Sequence, residues 1–280
     1  MQIVIFGASG FVGRNLARHL ELCDVIGIDK DPIAQDSLSN NTVFIQKNVF
    51  SLNSIPVTSD SFYVVNLMAE LGSSDIDKNI ENNLQSVEHL YRIVENTKAK
   101  CLGIIHFSSI SAEREASHYG KSKKDAERVV ESRDVPYIIL QSEMIIGEGA
   151  RSIEKLKRGL NIFPFVAFLP SGGRVVRYPI DISDVCETVR LIVKYHLCHN
   201  KTYHLISNET TMLELSKRYT DKVILPIPST LLLFLARVLE LFFSRPMFTY
   251  DNAVGVCSNT SLSLEAINTK VILEKFSGKT

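Results

Sequence analysis

Short apolar runs alternate with amphipathic stretches through the first half of the chain. Runs typical of strands buried on both faces occupy residues 3–6, 25–28, 43–45, 62–68, 102–107 and 137–140. Apolar residues recur at helical spacing after the first run and again within 82–94 and 121–130. Alternating strands and helices with short connections predict an α/β fold built on a doubly wound parallel sheet. Ligands bind such sheets beyond the carboxyl ends of the strands.

The pattern loosens after about residue 148. Further helices are predicted at 151–159, 181–195 and 211–219, with one more strand at 203–206. Residues 161–179 are rich in Pro, Gly and Phe and are predicted to form a folded-over loop. We therefore expect a first domain over 1–148 and a small C-terminal lobe over 149–280, some of whose elements return to complete the sheet.

Residues 229–243 are very apolar, but Arg237 and Glu240 interrupt them. The uninterrupted run is much shorter than the roughly twenty residues that a membrane span needs. The favoured interpretation is a lobe helix packed on the core or on a second subunit. A helix lying on a membrane surface is the alternative, which the small number of cations weakens. A membrane surface is therefore not an expected partner.

Three glycines follow the first predicted strand at three-residue spacing: Gly7, Gly10 and Gly13. Between a strand and a helix, such a motif is typical of a dinucleotide site. The first glycine permits a tight turn, the second lets the backbone approach a pyrophosphate, and the third lets the helix pack close to the strand. The N–H groups at the start of the helix then face the phosphates.

Asp29 ends the second predicted strand, about twenty residues beyond the first glycine, where an acid is expected to bond a ribose 2′-hydroxyl. A solvated loop carboxylate is the alternative. An acid at this position repels a 2′-phosphate, which favours NAD over NADP. Lys30 and Arg14 are close enough in sequence that NADP is not excluded.

Composition narrows the partners further. The chain has 280 residues, 45% hydrophobic and 22% charged, with no net charge at pH 7. That balance gives no support to nucleic-acid binding, which draws on an excess of cations. The five cysteines are far apart, and no metal-ligand spacing is present, so we expect reduced thiols, no metal and a cytoplasmic location. The first residues lead directly into the first predicted strand, so we expect no signal peptide.

Ser109, Tyr119 and Lys123 are the candidate catalytic residues. A phenol and an ammonium four residues apart share a face at the start of a helix. A cation beside a phenol lowers the pKa of the phenol, which can then exchange a proton with a substrate hydroxyl. Ser109 follows a strand and could bond the same oxygen. A surface tyrosine at a lysine-rich helix start is the alternative.

Taken together, these stretches resemble the short-chain dehydrogenases/reductases of the extended or atypical branch, the NAD-dependent epimerase/dehydratase family with its Rossmann-type fold. The resemblance is carried by residues 7–13, 67–69, 107–109, 119–123 and 179–185, together with Asp29 and Asn83. It covers nearly the whole chain in the family's order. It implies an NAD(P)-binding domain at 1–148 and a substrate lobe beyond it.

The resemblance also implies roles for individual residues. Ser109 would orient the substrate hydroxyl, and Tyr119 would be the acid/base. Lys123 would grip the nicotinamide ribose and lower the pKa of Tyr119, and Asn83 would support the helix that carries both. Cofactor contacts are expected from Gly7, Ser9, Gly10, Phe11, Val12, Gly13, Asp29, Lys30, Asn48, Val49, Leu67, Met68, Ala69, Asn83, Tyr119, Lys123 and Gln141. Substrate contacts are expected from Glu70, Arg174 and Arg177, where an arginine would hold a diphosphate.

The chain departs from the family pattern at several positions. Asn48 stands where the family usually has an adenine-binding Asp, and Gln141-Ser142 replaces the usual Arg-Pro. The gap between Ser109 and Tyr119 is short. Much of the second half of the chain resembles the atypical subgroup that includes the Rossmann-fold accessory subunit of respiratory complex I, some of whose members hold a nucleotide without turning it over.

Two functions follow from these observations. The first is an NAD-dependent oxidoreductase or epimerase acting on a hydroxyl or ketone of a small substrate, foremost a sugar nucleotide. The alternative is a nucleotide-binding, non-catalytic structural or assembly protein, at a membrane or in a larger complex. A homodimer is expected only by analogy with the family.

Overall fold

A computed structural model of the protein describes residues 1–21, 23–33, 38–69, 80–114, 118–242 and 250–276. The chain divides into two compact units. The first unit comprises residues 1–142, 182–205 and 264–280, and the second comprises residues 143–181 and 206–263.

Strands and helices follow one another in chain order. The strands are β1 (Gln2–Phe6), β2 (Asp24–Asp29), β3 (Thr42–Gln46), β4 (Ser61–Asn66), β5 (Lys100–Ser109), β6 (Tyr137–Ser142), β7 (Met144–Ile146), β8 (Val166–Pro170), β9 (Val176–Arg177), β10 (Pro179–Asp181), β11 (Lys201–Leu205), β12 (Thr210–Thr211), β13 (Val223–Ile227) and β14 (Ala266–Ile267). The helices are α1 (Phe11–His19), α2 (Ser86–Glu95), α3 (Ser111–Arg114), α4 (His118–Glu131), α5 (Arg151–Leu160), α6 (Ile182–Lys194), α7 (Met212–Lys217), α8 (Ser229–Phe242), α9 (Tyr250–Cys257) and α10 (Thr269–Phe276).

The first unit is built on one parallel sheet. Within the described residues its eight strands lie in the order β3-β2-β1-β4-β5-β6-β11-β14. The strand order reverses at β1, which pairs with β2 on one side and β4 on the other. Such a reversal is the point at which doubly wound sheets bind ligands. The predicted Rossmann-type fold is confirmed.

The apolar periodicity of the sequence accounts for this sheet. Every residue of β1 is buried, as expected for a central strand covered on both faces. Alternate side chains of β4, including Phe62 and Val64, pack in one core cluster with Val87 and Leu90 from α2. The predicted helix at 82–94 begins later than expected, at Ser86, because residues 80–85 form a wider helical turn.

The division between the units differs from the boundary expected after residue 148. The first unit ends its main segment at residue 142, and residues 182–205 and 264–280 also belong to it. The physical reason is strand pairing, since β11 pairs with β6 and β14 pairs with β11. The expectation that later elements return to the sheet agrees with this arrangement.

The second unit consists of short strand pairs and helices. The pairs are β7 with β10, β8 with β13, and β9 with β12. The prediction of a loop over 161–179 was therefore wrong. The strands β8 and β9 and the start of β10 form there by pairing with strands that are distant in sequence. A small cluster of buried side chains holds the unit: Leu160, Ala167, Leu169, Met212 and Leu215.

The apolar stretch predicted to be helical at 229–243 forms α8, whose last described residue is Phe242. Its only buried residue among those described is Ala236, whereas Leu241 and Phe242 are 82% and 79% exposed. Arg237 lies 3.8 Å above the ring of Tyr250 in α9. None of the helices in the described part of the chain has the length and apolar content that crossing a membrane requires.

Candidate functional site

The loop after β1 can be formed only by glycine at two of its positions. Gly7 has a φ of +84°, and a Cβ there would lie 3.0 Å from the backbone of Leu67. A Cβ on Gly13 would lie 2.3 Å from the carbonyl oxygen of Gly7 and 2.7 Å from the Cα of Ala8. The glycines therefore permit a turn that brings α1 directly against the end of β1.

The start of α1 presents unused backbone donors. Gly10 is the N-cap residue, and no side chain caps the helix. The first helical hydrogen bond runs from the Arg14 N–H to the Gly10 carbonyl at 3.0 Å, so the N–H groups of Phe11, Val12 and Gly13 have no partner within the helix. These donors and the helix dipole suit a diphosphate.

Asp29 lies at the end of β2, beside this loop. Its Oδ2 accepts hydrogen bonds from the Ser9 N–H at 3.0 Å and from the Ser9 hydroxyl at 2.8 Å, while its Oδ1 accepts from the Asp31 N–H at 3.2 Å. The carboxylate is thus held against the glycine loop and remains partly exposed, and Lys30 is exposed next to it. A fixed, accessible carboxylate suits a ribose diol.

Further predicted cofactor residues lie at the ends of β3 and β4. Asn48 caps a helical turn at residues 49–51 by accepting the Phe50 N–H at 3.1 Å, and Val49 is buried within that turn. Leu67, Met68 and Ala69 directly follow β4; Met68 and Ala69 are partly exposed and exposed, respectively. Glu70, a predicted substrate residue, lies outside the described residues.

Ser109 and Tyr119 meet at the carboxyl end of β5. Ser109 ends the strand, and Tyr119 lies in the first turn of α4. Burial raises the pKa of Tyr119 to about 12, and a hydrogen bond with the Ser109 side chain acts in the opposite direction. At neutral pH the phenol is therefore protonated and can donate a proton to a carbonyl oxygen.

Lys123 lies one turn further along α4 and is 1% exposed. Its Nζ donates to the carbonyl oxygen of Phe107 at 2.8 Å. Burial lowers the pKa of Lys123 to about 8, and the carboxylate of Glu127 opposes this change. Burial raises the pKa of Tyr119 more than its hydrogen bond with Ser109 lowers it, so the net direction is opposite to the lowering expected from a neighbouring cation.

Asn83 supports α4 through Ser122. The Asn83 side-chain amide donates to the Ser122 hydroxyl at 3.0 Å, and that hydroxyl donates to the Tyr119 carbonyl oxygen at 2.9 Å. Both side chains are buried. This chain of bonds links the wider turn at residues 80–85 to the first turn of α4.

Gln141, a predicted cofactor residue, has a buried side chain. It is 1% exposed, and its Nε2 donates to Oε1 of Glu127 at 2.9 Å. The sequence interpretation missed Glu127, which is fully buried. The signal was present, since Glu127 follows Lys123 at helical spacing on the face that also carries buried Ala126 and Val130.

The two arginines predicted to bind substrate have different environments. Arg177 is 4% exposed, and its guanidinium bonds Glu143 at 3.2 Å and the carbonyl oxygens of Gly255, Val256 and Ser258 at 2.7, 2.9 and 2.8 Å. Assigning a substrate diphosphate to Arg177 was therefore wrong, because structural acceptors already use its donors. Arg174 is exposed, and its Nε donates to the Ser171 carbonyl at 3.2 Å.

The described part of the chain shows neither a candidate metal site nor a disulfide. No group of three or more His, Cys, Asp or Glu residues there could hold a metal ion. All five cysteines are free thiols.

Comparison with known proteins points to one family. The sequence model of the NAD dependent epimerase/dehydratase family matches residues 3–200. None of the curated proteins matches the chain in sequence.

Solved structures share the fold over most of the chain. A UDP-glucuronic acid 4-epimerase from Bacillus cereus in complex with NAD is 18% identical with a TM-score of 0.64, covering 93% of this chain and 97% of that one. A UDP-galactose 4-epimerase is 14% identical with a TM-score of 0.66, covering 92% and 97%. MoeE5 in complex with UDP-glucose and NAD is 18% identical with a TM-score of 0.65, covering 81% and 85%.

Proposed function

Because the chain belongs to the NAD-dependent epimerase/dehydratase family, we propose that it uses NAD to interconvert a hydroxyl and a carbonyl group on a sugar nucleotide. Tyr119 exchanges the proton in this reaction. The observation that supports the proposal is the hydrogen bond between Ser109 and Tyr119 at the end of β5, since a phenol and a hydroxyl that lie together would both reach one substrate oxygen.

The glycine loop and Asp29 support NAD as the cofactor. The N–H groups at the start of α1 would bond the diphosphate, and Asp29 would bond the adenosine ribose. The negative charge of Asp29 disfavours a 2′-phosphate, which supports NAD over NADP. When bound, NAD would supply the hydride acceptor.

Proton transfer requires Tyr119 to change its protonation state. With its pKa raised to about 12, Tyr119 is the proton donor when a ketone is reduced. Oxidation of a hydroxyl requires a phenolate, and a cation near the phenol would stabilise it. Lys123, which follows Tyr119 by one turn on α4, is the residue that we propose supplies this charge.

A sugar nucleotide is proposed as the substrate because solved structures with this fold include enzymes for UDP-sugars. Arg174 is exposed, and within the described residues only the Ser171 carbonyl is seen to accept from its guanidinium. It is the arginine that we propose for the substrate diphosphate. We propose the cytoplasm as the compartment.

Replacing the phenol tests the catalytic proposal. Tyr119→Phe removes the proton donor, so turnover of sugar nucleotides should fall at least about 100-fold while calorimetry shows NAD binding unchanged. Tyr137→Phe, which removes a hydroxyl at the amino end of β6, is the matched control and should keep wild-type turnover. Equal turnover by Tyr119→Phe and wild type would contradict the role of Tyr119.

Replacing the acid tests the cofactor. Asp29→Ala should weaken NAD about tenfold, which corresponds to about 1.4 kcal/mol, and change NADP affinity much less, because the variant also loses the repulsion of a 2′-phosphate. Asp31→Ala, on the exposed neighbouring residue, should leave the ratio of the two affinities unchanged. An unchanged NAD/NADP ratio in Asp29→Ala would refute the assignment.

A protein that holds NAD without turning it over is the second candidate function. Two features favour it: Gln141-Ser142 stands in place of the family's usual Arg-Pro, and α8 exposes the apolar side chains of Leu241 and Phe242. It predicts tight NAD binding in calorimetry, with no turnover by either wild type or Tyr119→Phe over a panel of sugar nucleotides.

A further inference from the structure

A buried carboxylate lies one turn beyond Lys123 on α4. Glu127 is 0% exposed and follows Tyr119 and Lys123 at intervals of four residues, so all three lie along one face of the helix. Acidic side chains are almost never fully buried unless they are paired. The burial of Glu127 therefore requires a specific set of partners.

Three donors hold the Glu127 carboxylate. The Ser108 hydroxyl and the Gln141 Nε2 donate to Oε1, the latter at 2.9 Å, and the Lys124 Nζ lies 3.0 Å from Oε2. Ser108 and Gln141 are paired in register on the neighbouring strands β5 and β6. Two strands and the helix thus fix the carboxylate at the carboxyl edge of the sheet, on the same side as Lys123.

Lys123 has a neutral acceptor and needs a counter-charge. Its ammonium bonds the Phe107 carbonyl, which satisfies a donor but does not neutralise the charge of a buried cation. The Coulombic attraction of Glu127 favours the ammonium form and opposes the pKa decrease that burial causes. No other acid is seen to influence Lys123 within the described residues.

The other titratable groups around this pair do not take over the role of Glu127. His106, on β5, is buried, and both burial and the charge of Lys123 lower its pKa well below the ordinary value, so it is neutral. Its Nδ1 lies 3.0 Å from the Asn66 side-chain amide. His204, on β11, pairs with Glu113 at 3.2 Å, and burial lowers its pKa.

We propose that Glu127 is a positioning residue for the reaction proposed above, on which this inference rests: its buried carboxylate, one helical turn beyond Lys123, keeps Lys123 in the ammonium form. Glu127 itself touches neither substrate nor cofactor and acts through Lys123. Gln141 and Ser108 in turn fix the carboxylate. Gln141, a departure from the family pattern, thereby has a place in the site.

A charge-neutral substitution isolates this role. Glu127→Gln keeps an oxygen that can accept from Ser108 and Gln141, and removes the negative charge. The titration midpoint of Lys123 should then fall by about one pH unit or more. Asp125→Asn is the matched control, since it removes a carboxylate from the exposed side of the same helix, and it should leave the midpoint unchanged.

The midpoint can be measured without turnover. The protein with ¹³C-labelled lysine is titrated, and the Cε signal of Lys123 is assigned by its loss in Lys123→Met. Equal midpoints in wild type and Glu127→Gln would overturn the proposal. A wild-type midpoint below about 7 would overturn it without any Glu127 variant, so a Gln variant that does not fold leaves the proposal testable. The titration uses no substrate, so its result does not depend on whether the proposed enzymatic function is correct.

The kinetic consequence separates charge from packing. On the basic side of the pH profile, the kcat of Glu127→Gln should decline at a lower pH than the kcat of wild type. The wild-type/variant ratio of kcat should therefore rise as the pH approaches about 8. Glu127→Asp retains the negative charge and should restore the wild-type pH profile of kcat. A loss of kcat equal at every pH, or an Asp variant with the profile of the Gln variant, would show a packing role and contradict the proposal.

Discussion

Different kinds of interaction stabilise the interior of each of the two units. The first unit has a continuous parallel sheet of eight strands in the described residues, covered by buried apolar side chains from β1, β4 and α2. The second unit has strands of two to five residues and a core cluster of five buried side chains. Its Arg177 is buried and bonds three carbonyl oxygens and Glu143. Burial of regularly spaced apolar side chains stabilises the first unit. In the second unit, these contacts of Arg177, which we call the polar clamp, add to a small apolar core.

This difference shows where chemistry can diverge. A regular sheet constrains the positions of its strand ends, which carry Gly7, Asp29 and Ser109. A unit of short strand pairs can change its loops while keeping the clamp. Arg177, one of the two arginines expected to bind substrate, forms that clamp instead. Arg174 is exposed and lies on a turn, where a substitution does not disturb the core.

The largest expected effect comes from breaking the clamp. Arg177→Met leaves Glu143, which is 14% exposed, without its cation and three carbonyl groups without a donor. The free energy of unfolding should fall by about 3 kcal/mol or more, measured by urea denaturation. Arg174→Met, at an exposed arginine, should change it by less than about 0.5 kcal/mol.

The clamp hypothesis also predicts a partial rescue. Arg177→Met combined with Glu143→Gln removes the buried charge that was left behind, so the double variant should be more stable than Arg177→Met alone. If Arg177 instead bound substrate, Arg177→Met would raise KM and leave the midpoint of unfolding at the wild-type value, and the comparison between the units would fail.

The next largest effect concerns glycine in the two units. Gly13→Ala places a Cβ 2.3 Å from the Gly7 carbonyl oxygen, which should cost about 1–3 kcal/mol of stability and weaken NAD binding. Gly159→Ala, near the end of α5, meets nothing within 4 Å and should raise stability by about 0.5–1 kcal/mol. Calorimetry and urea denaturation check both.

The outcome can separate crowding from a general intolerance of alanine. Destabilisation by both glycine substitutions would show that α5 also needs its glycine, and the distinction between a crowded loop in the first unit and an open helix in the second would be lost. Unchanged NAD affinity in Gly13→Ala would remove the close approach of α1 as a requirement of the cofactor site.

Sequence patterns predicted the first unit well because its structure repeats. Apolar runs located β1, β2, β4 and β6 to within two residues, since central parallel strands are buried on both faces. The strands β8, β9 and β10 were not predicted, because each is stabilised by pairing with a segment distant in sequence. Periodicity over a few residues carries no information about such pairings.

The candidate site was predictable in position and less so in contacts. Helical spacing placed Tyr119 and Lys123 on one face of α4, and the end of β5 brought Ser109 to the phenol. Spacing could not show that the Lys123 ammonium bonds the Phe107 carbonyl, nor that burial raises the pKa of Tyr119. Those properties depend on tertiary packing around each group, which several elements determine together.

The smallest expected effect concerns a surface ion pair of the first unit, which should matter far less than the buried clamp of the second. Glu187 accepts from Arg190 Nε at 2.7 Å and pairs with His19 at 2.8 Å. The bond with Arg190, and then that with His19, lowers the pKa of Glu187 from 4.5 to about 2. A carboxylate whose folded pKa is lowered contributes stability above its unfolded pKa, and this contribution is lost as the pH falls from about 4.5 to about 2.

Glu187→Gln should therefore lower the free energy of unfolding by at most about 1 kcal/mol at pH 7, because the pair is partly exposed and solvent screens it, and by nothing measurable near pH 2. Urea denaturation of variant and wild type at both pH values, with and without added salt, measures the difference. Glu154→Gln, at an exposed Glu154–Lys157 pair of the second unit separated by 3.5 Å, is the control and should cost less stability at pH 7, since the pair is longer and more exposed. A cost for Glu187→Gln that approaches that of Arg177→Met would mean that polar contacts stabilise both units alike, and the distinction between regular burial and a polar clamp would not hold.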